Sequence, residues 1–472
     1  MTVRADPRAM TAFTDDGLHA VRRTVERLDD ARARLHAATD GDPDGPAATL
    51  SGILDDVEDL LGDLAHLVAQ PAVVGTRFAR LDRSYAVDRA VAWSILAAAG
   101  TDGVADPDLV VASLATLRPD AVAGLWAGLS SVDRQAAIAA HPDVLGRLAG
   151  IPIDVRDGCN RAILRDHLDG LRSARDRVRW DPTALTGAAA WDPDPGRTAM
   201  DRQIGRLEGL LAADRILAFD PSGDGRAVVA WGDPDRARHV ATIVPGIGTT
   251  LAATPRLLRE AAVLRDAARV VDERVATVAW LGYDTPPGIV AIGSGLATGD
   301  PRPLAAAATD AWADAQRAAL VDHAAGLRAT NPGVHHTVVG HSYGAVLTFR
   351  ALTRTGDVTP LDVDDVVALG APGPGAGVDD LDDLDLPRGV GVWSATAALD
   401  PVPLLPGVLG PAIHRLGDRV HRLPTDRSNR GHAAYFAPGS AAVRAMAVVV
   451  AGRTPRPPTR PDQDRRRDSR VS

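Results

Sequence analysis

Along the first hundred residues apolar side chains return every three or four positions. Leu18, Val21, Val25, Leu28, Ala31 and Leu35 fall on one helical face. After the turn-forming stretch 40–46 the pattern resumes at Leu50, Ile53, Val57, Leu60, Leu61, Leu64 and Leu67. Pro71 stops that helix, and a third is predicted over 78–99, so an antiparallel helical bundle is expected. Helical pieces punctuated by Pro119, Pro142 and Pro152 continue to about residue 179, and 188–197 is rich in turn formers.

The period changes near residue 215. Short β-rich runs at 216–219 and 226–231 flank PSGDG, which predicts a hairpin. Further strands are predicted at 239–244, 275–280, 336–339, 365–369, 390–395 and 419–423. Ala-rich helical stretches at 254–268, 304–329 and 345–355 separate several of them. Alternating strand and helix implies a mostly parallel sheet with helices on both faces. The expected division is a helical region 1–105, a helical lead-in and linker 106–205, an α/β domain 206–452, and a Pro/Arg-rich disordered tail 453–472.

Composition narrows the function. Of 472 residues 45% are apolar and 24% charged, a soluble globular balance. The net charge of −9 argues against nucleic acid as the main partner, because phosphate binding needs a concentrated basic face. A single cysteine, Cys159, leaves no internal disulfide and no cysteine-based metal cluster. No 18-residue apolar run and no apolar leader stand out, so a cytoplasmic protein without a membrane span is expected, with signal-independent export left open.

The chemistry concentrates at Gly340-His341-Ser342-Tyr343-Gly344, between a predicted strand and a predicted helix. A nucleophilic serine must be held proud of the sheet on a tight strand-to-helix turn, and the flanking glycines let strand and helix approach. This is the nucleophile elbow of an α/β-hydrolase fold, in which acid and histidine follow the serine in the chain. Three histidines follow it: His421 falls in the last strand, His414 in a Pro/Gly loop, and His432 in the loop SNRGHAAYF. His432 is therefore the expected base. Asp400, after the strand 390–395, is the expected acid. The turn after strand 239–244, PGIGTT, is expected to provide a backbone N–H from Gly246 or Ile247 to an oxyanion, with Tyr343 N–H as the second donor. Trp280, Tyr283 and Tyr435 are candidates for the pocket wall, and the segment 286–295 for a small lid.

The stretches IVPGIGTT, VAWLGYDTPP, HTVVGHSYGAVL, VVALGAPGPG, the DPVP at 400–403 and GHAAYF resemble the actinobacterial α/β-hydrolase family of the DUF1023 type. The resemblance covers about 214–450 and implies Ser342, Asp400 and His432 as a triad. It supplies no substrate. A serine hydrolase acting on a small-molecule or acyl ester, with no metal or organic cofactor, is the expectation. Acyl transfer and amide cleavage use the same triad. A non-catalytic scaffold or secretion-associated binding protein is the other class, and a protein partner for the helical N-terminus stays open.

Overall fold

The computed structural model describes residues 105–177, 195–298, 300, 302–353, 359–387, 389–404 and 409–455. The helical pattern expected over 1–104, most of the stretch 188–197 and residues 456–472 lie outside the described residues. Two compact units divide between Val144 and Leu145.

The described part of the first unit holds the helices Pro107–Ala115, Pro119–Gly128 and Ser131–Ala140. Their starts are set locally. Proline opens the first two, where a missing N–H costs nothing, and the Asp106 and Ser130 side chains accept backbone N–H groups at the first and third.

The second unit is built on eight strands: β1 (Arg215–Asp220), β2 (Arg226–Trp231), β3 (His239–Val244), β4 (Val275–Leu281), β5 (His335–His341), β6 (Asp365–Leu369), β7 (Gly391–Ala395) and β8 (Val420–Arg422). Their order across the sheet is β1-β2-β4-β3-β5-β6-β7-β8. The β1–β2 and β2–β4 pairs are antiparallel and all others parallel. The expected mostly parallel sheet, covered by helices on both faces, is what the chain forms.

The uninterrupted apolar runs follow from that double covering, since neighbouring strand residues point to opposite faces. Val338 packs on one side, where the helices Ala311–Thr330 and Tyr343–Ala351 lie. Val339 packs on the other, against Thr254–Arg269 and Ala441–Val450. Both valines are fully buried, and each such side chain contributes about 2 kcal/mol.

One expected helix is interrupted. The stretch 304–329 forms two pieces, Arg302–Ala307 and Ala311–Thr330. In an unbroken helix the Ala313 N–H would reach the Thr309 carbonyl. Here the Tyr343 hydroxyl stands between them, accepting from Ala313 N–H at 3.2 Å and donating to Thr309 O at 2.6 Å. A polar group inserted into the ladder breaks a helix in this way. Among the described residues no helix is long and apolar enough to cross a membrane.

Candidate active site

From β3 the chain crosses to β4 on one side and then returns to β5 on the other. The carboxyl ends of β3 and β5 therefore border a crevice that no connection closes. Gly246 follows one of these strands and Ser342 the other.

Ser342 sits at φ 56°, ψ −125°, a region L-residues rarely occupy, at a cost of about 1–3 kcal/mol. Close packing holds it there. A Cβ on Gly340 would lie 2.6 Å from Ala345 Cα, and one on Gly344 would lie 2.2 Å from Val244 O. The Ser342 N–H donates to Leu369 O at 2.9 Å, which anchors the turn to β6. Across the crevice the loop after β3 presses on the serine: a Cβ on Gly246 would be 2.7 Å from Ser342 Cβ. Gly248 N–H is committed to Pro286 O at 2.8 Å, which ties this loop to the segment 286–288.

Asp400 is 3% exposed and its carboxylate is crowded with donors. His432 Nδ1 lies 3.0 Å from both oxygens, the Val402 N–H donates to Oδ1 at 3.0 Å, and the Tyr435 hydroxyl donates to Oδ2 at 2.5 Å. Burial opposes ionisation, but the hydrogen bonds from His432, Tyr435 and Val402 outweigh it and hold the carboxyl below its ordinary value. Gly370 makes room for this arrangement. It has φ 55°, and a Cβ there would stand 2.5 Å from Asp400 Oδ2.

The histidine loop is braced from several sides. Gly431 N–H donates to Ala398 O at 2.7 Å, joining it to the acid loop. Asn429, fully buried, donates to Ala434 O at 2.9 Å and accepts from Asp426 and Ala442 N–H groups. His341 donates Nε2–H to His432 O at 2.8 Å, and the two rings lie 4.8 Å apart. Burial, with His432 beside it, lowers the His341 pKa to about 4, so it is a neutral donor at pH 7. Among the described residues no hydrogen bond joins Ser342 Oγ to His432; such contacts often tighten only around a bound substrate.

Ser342, His341, Tyr343 and His432 open on a cavity of about 1110 Å³. Gly246, Ile247 and the segment 286–288 line it, as do Leu257, Leu304, Pro372, Val402 and Leu409. The expected aromatic wall is absent from that lining. Trp280 and Tyr283 are 1% exposed and stack on each other behind the crevice, where the Tyr283 hydroxyl supports the β3 loop through Pro245 O at 2.6 Å. Tyr435 is fully buried beneath Asp400 rather than beside the cavity. Of the two passed-over histidines, His421 lies on β8 against Trp393, and His414 in a short turn after the acid loop.

Sequence reasoning missed the roles of Tyr435, Asn429 and Gly370. Their only local signal is position: Asn429 and Tyr435 flank His432 at three residues on either side, and Gly370 closes β6.

Residues 220–409 match a family model described as an alpha/beta hydrolase, a span that includes Ser342 and Asp400 and stops short of His432. The uncharacterized protein Rv2079 of Mycobacterium tuberculosis is 30% identical over 382 residues, covering 69% of this chain and 54% of that protein. The uncharacterized protein Mb0988c of Mycobacterium bovis is 28% identical over 214 residues, 42% of this chain and 73% of the other. The chain thus spans about half the length of the first of these curated relatives. Among solved structures, the apo form of Thermogutta terrifontis esterase 2 is 12% identical with a TM-score of 0.27, covering 49% of this chain and 92% of its own. Carboxyl esterase 2 of Tuber melanosporum is 14% identical with a TM-score of 0.29, covering 50% and 85%. With its strand order, its elbow and the family match over 220–409, the unit that begins at Leu145 has the α/β-hydrolase fold.

Proposed function

We propose that this protein is a serine hydrolase of the DUF1023 type that cleaves an ester through an acyl-enzyme. The observation that carries the reading is the strained Ser342 facing the same cavity as a His432 already oriented by a buried, ionised Asp400. A scaffold has no use for a backbone held at φ 56° or for a carboxylate buried under three donors.

Each residue then has a role. His432 Nε2 takes the Ser342 proton as Oγ attacks the acyl carbonyl, and Asp400 stays ionised and stabilises the imidazolium. The N–H groups of Tyr343 and of Gly246 or Ile247 hold the tetrahedral oxyanion, an interaction typically worth about 3–4 kcal/mol per donor. His432 returns the proton to the leaving alcohol oxygen. Water, deprotonated by the same imidazole, attacks the acyl-serine; the acid departs and the proton returns to Oγ.

The test is covalent labelling by a fluorophosphonate, with the wild type beside Ser342→Ala and His432→Ala. Stoichiometric labelling of the wild type alone is expected. Equal labelling of the Ser342→Ala protein, or none of the folded wild type, would overturn the proposal.

A further inference from the structure

The cavity has two chemically distinct sides. Next to Tyr343 the lining is apolar: Leu304, Ala307, Ala308, Pro372 and Leu409. These residues form one connected wall. Tyr343 holds Thr309 through its hydroxyl, Asp310 accepts the Ala376 N–H at 2.8 Å, and Leu409 O accepts the Gly375 N–H at 2.9 Å. Next to His432 the lining mixes Ala253, Leu257 and Ala433 with the polar residues Asp224, Thr249, Thr250, Arg256 and Glu260. That side is also continuous. Arg256 Nη2 lies 3.5 Å from Ala433 O, Arg256 Nε donates to Glu260 at 2.8 Å, and the Leu251 N–H joins this segment to Asp224 O at 3.0 Å.

The direction of proton transfer assigns the two sides. On the proposed mechanism, on which this inference rests, His432 hands its proton to the departing oxygen. The alcohol must then leave on the imidazole side, and the acyl chain must lie on the other. Only the polar side is built for hydrogen bonds, and its charge limits the choice of alcohol. Two carboxylates stand against one guanidinium, so an anionic head is disfavoured. Arg256 offers donors, Glu260 and Asp224 offer acceptors, the Thr250 hydroxyl offers both, and the Thr249 hydroxyl, which donates to Gly246 O at 2.9 Å, offers its lone pairs. The Glu260 side chain is 14% exposed, and Arg256 is the one donor that reaches it among the described residues. A desolvated carboxylate with spare lone pairs favours a ligand that brings its own O–H donors.

We infer that the substrate is an ester joining an apolar acyl chain to a neutral polyhydroxylated alcohol, with Arg256 and Glu260 as the residues that recognise the hydroxyls. Glycerol and a hexose share this chemistry. Both are accommodated, since a cavity of about 1110 Å³ exceeds the ~300–1,000 Å³ of an ordinary small-ligand pocket.

The experiment compares one acyl chain, decanoyl, esterified to ethanol, glycerol, glucose or glycolate, with wild type, Arg256→Gln and Glu260→Gln. Wild type is expected to turn over the glyceryl or glucosyl ester at least about tenfold better in kcat/KM than the ethyl ester, a difference of ~1.4 kcal/mol. The better of the two names the source of the hydroxyls. The glycolate ester should be the poorest. Each variant should lose that tenfold on the preferred ester through KM, leaving kcat and the ethyl ester within about twofold. The ethyl ester doubles as a control for folding. Turnover without preference for a hydroxylated alcohol, or variants that lower all four esters equally, would overturn the inference and leave the hydrolase reading intact. No turnover of any ester together with no fluorophosphonate labelling would remove both.

Discussion

Replacing Tyr435 by phenylalanine removes one oxygen and leaves the ring in place, which isolates the hydrogen bond to Asp400. The Tyr435 hydroxyl is a proton donor at every working pH, because burial, reinforced by the adjacent carboxylate, raises its pKa far above the ordinary range. It donates to Asp400 Oδ2 at 2.5 Å and accepts the Ala397 N–H at 3.0 Å. A hydrogen bond to a buried charge contributes about 1.5–3 kcal/mol, and the orphaned Ala397 N–H adds a further ~1 kcal/mol. The expected loss of stability is therefore about 3 kcal/mol at pH 7. The loss depends on pH with a definite sign. The Asp400 pKa is depressed in the folded state, so its stabilisation is present above the unfolded value of 3.8 and vanishes as pH falls through the folded one. With Tyr435 gone, desolvation is less opposed and the folded pKa rises. Urea unfolding at pH 7 and at pH 3.5 should show a difference between wild type and Tyr435→Phe that shrinks at the lower pH. Activity should fall roughly ten- to a hundredfold, as for a slight misplacement of the imidazole. An equal difference at both pH values would mean that Tyr435 does not serve the ionised Asp400, and the account of the acid given above would fail.

Other expectations can be checked alongside it. Gly370→Ala should lower both activity and Tm, because its Cβ would meet Asp400 Oδ2 at 2.5 Å; a fully active variant would show that the acid loop can shift at no cost. Asn429→Ala strands the Asp426 and Ala442 N–H groups, so a loss of about 2–4 kcal/mol in denaturant unfolding is expected, and a neutral result would contradict its bracing role. Burial depresses the pKa of His341 to about 4 and of His336 to about 3, so both draw protons preferentially when unfolded. Stability should then fall as pH drops from 6.5 towards 4, by about 1.4 kcal/mol per unit for each histidine; a flat profile would refute the assignment. Tyr343→Phe frees Thr309 O to accept the Ala313 N–H directly, so helix content should rise and acyl-length preference change. Unaltered circular dichroism with unaltered preference would count against the inserted hydroxyl as the cause of the break.

The sheet was legible because short β-branched-rich runs such as HVATIV and VATVAWL alternate with longer Ala-rich helical patterns. Even β8, three residues long, was marked by the run between two turn-rich loops. Chain order and strand ends likewise underlie the expectation of Ser342, Asp400 and His432, since Ser342 follows β5 directly and the other two lie in the loops after β7 and β8. What stayed hidden is direction and distance. Trp280 ends β4 and Tyr283 follows it at the correct edge, but periodicity does not say that the two rings turn inward and stack, with the Tyr283 hydroxyl on Pro245 O. Tyr435 reaches an acid 35 positions away, and Tyr343 reaches a carbonyl 34 positions away. Contacts of that separation exist only after the sheet has formed, so no local pattern announces them.

His341 bridges the two halves of the proposed machinery, since it precedes the nucleophile in the chain and holds the carbonyl of the base. The turn of the nucleophile and the loop of the base are thereby fastened to each other at folding, leaving only the Ser342–His432 hydrogen bond to form around substrate. Opening of the histidine loop has to break the His341 bond to His432 O together with the Gly431 N–H to Ala398 O and Asn429 to Ala434 O bonds. Heat should therefore extinguish catalysis and the fold in a single step, and the temperature at which activity disappears should coincide with the melting temperature of the sheet.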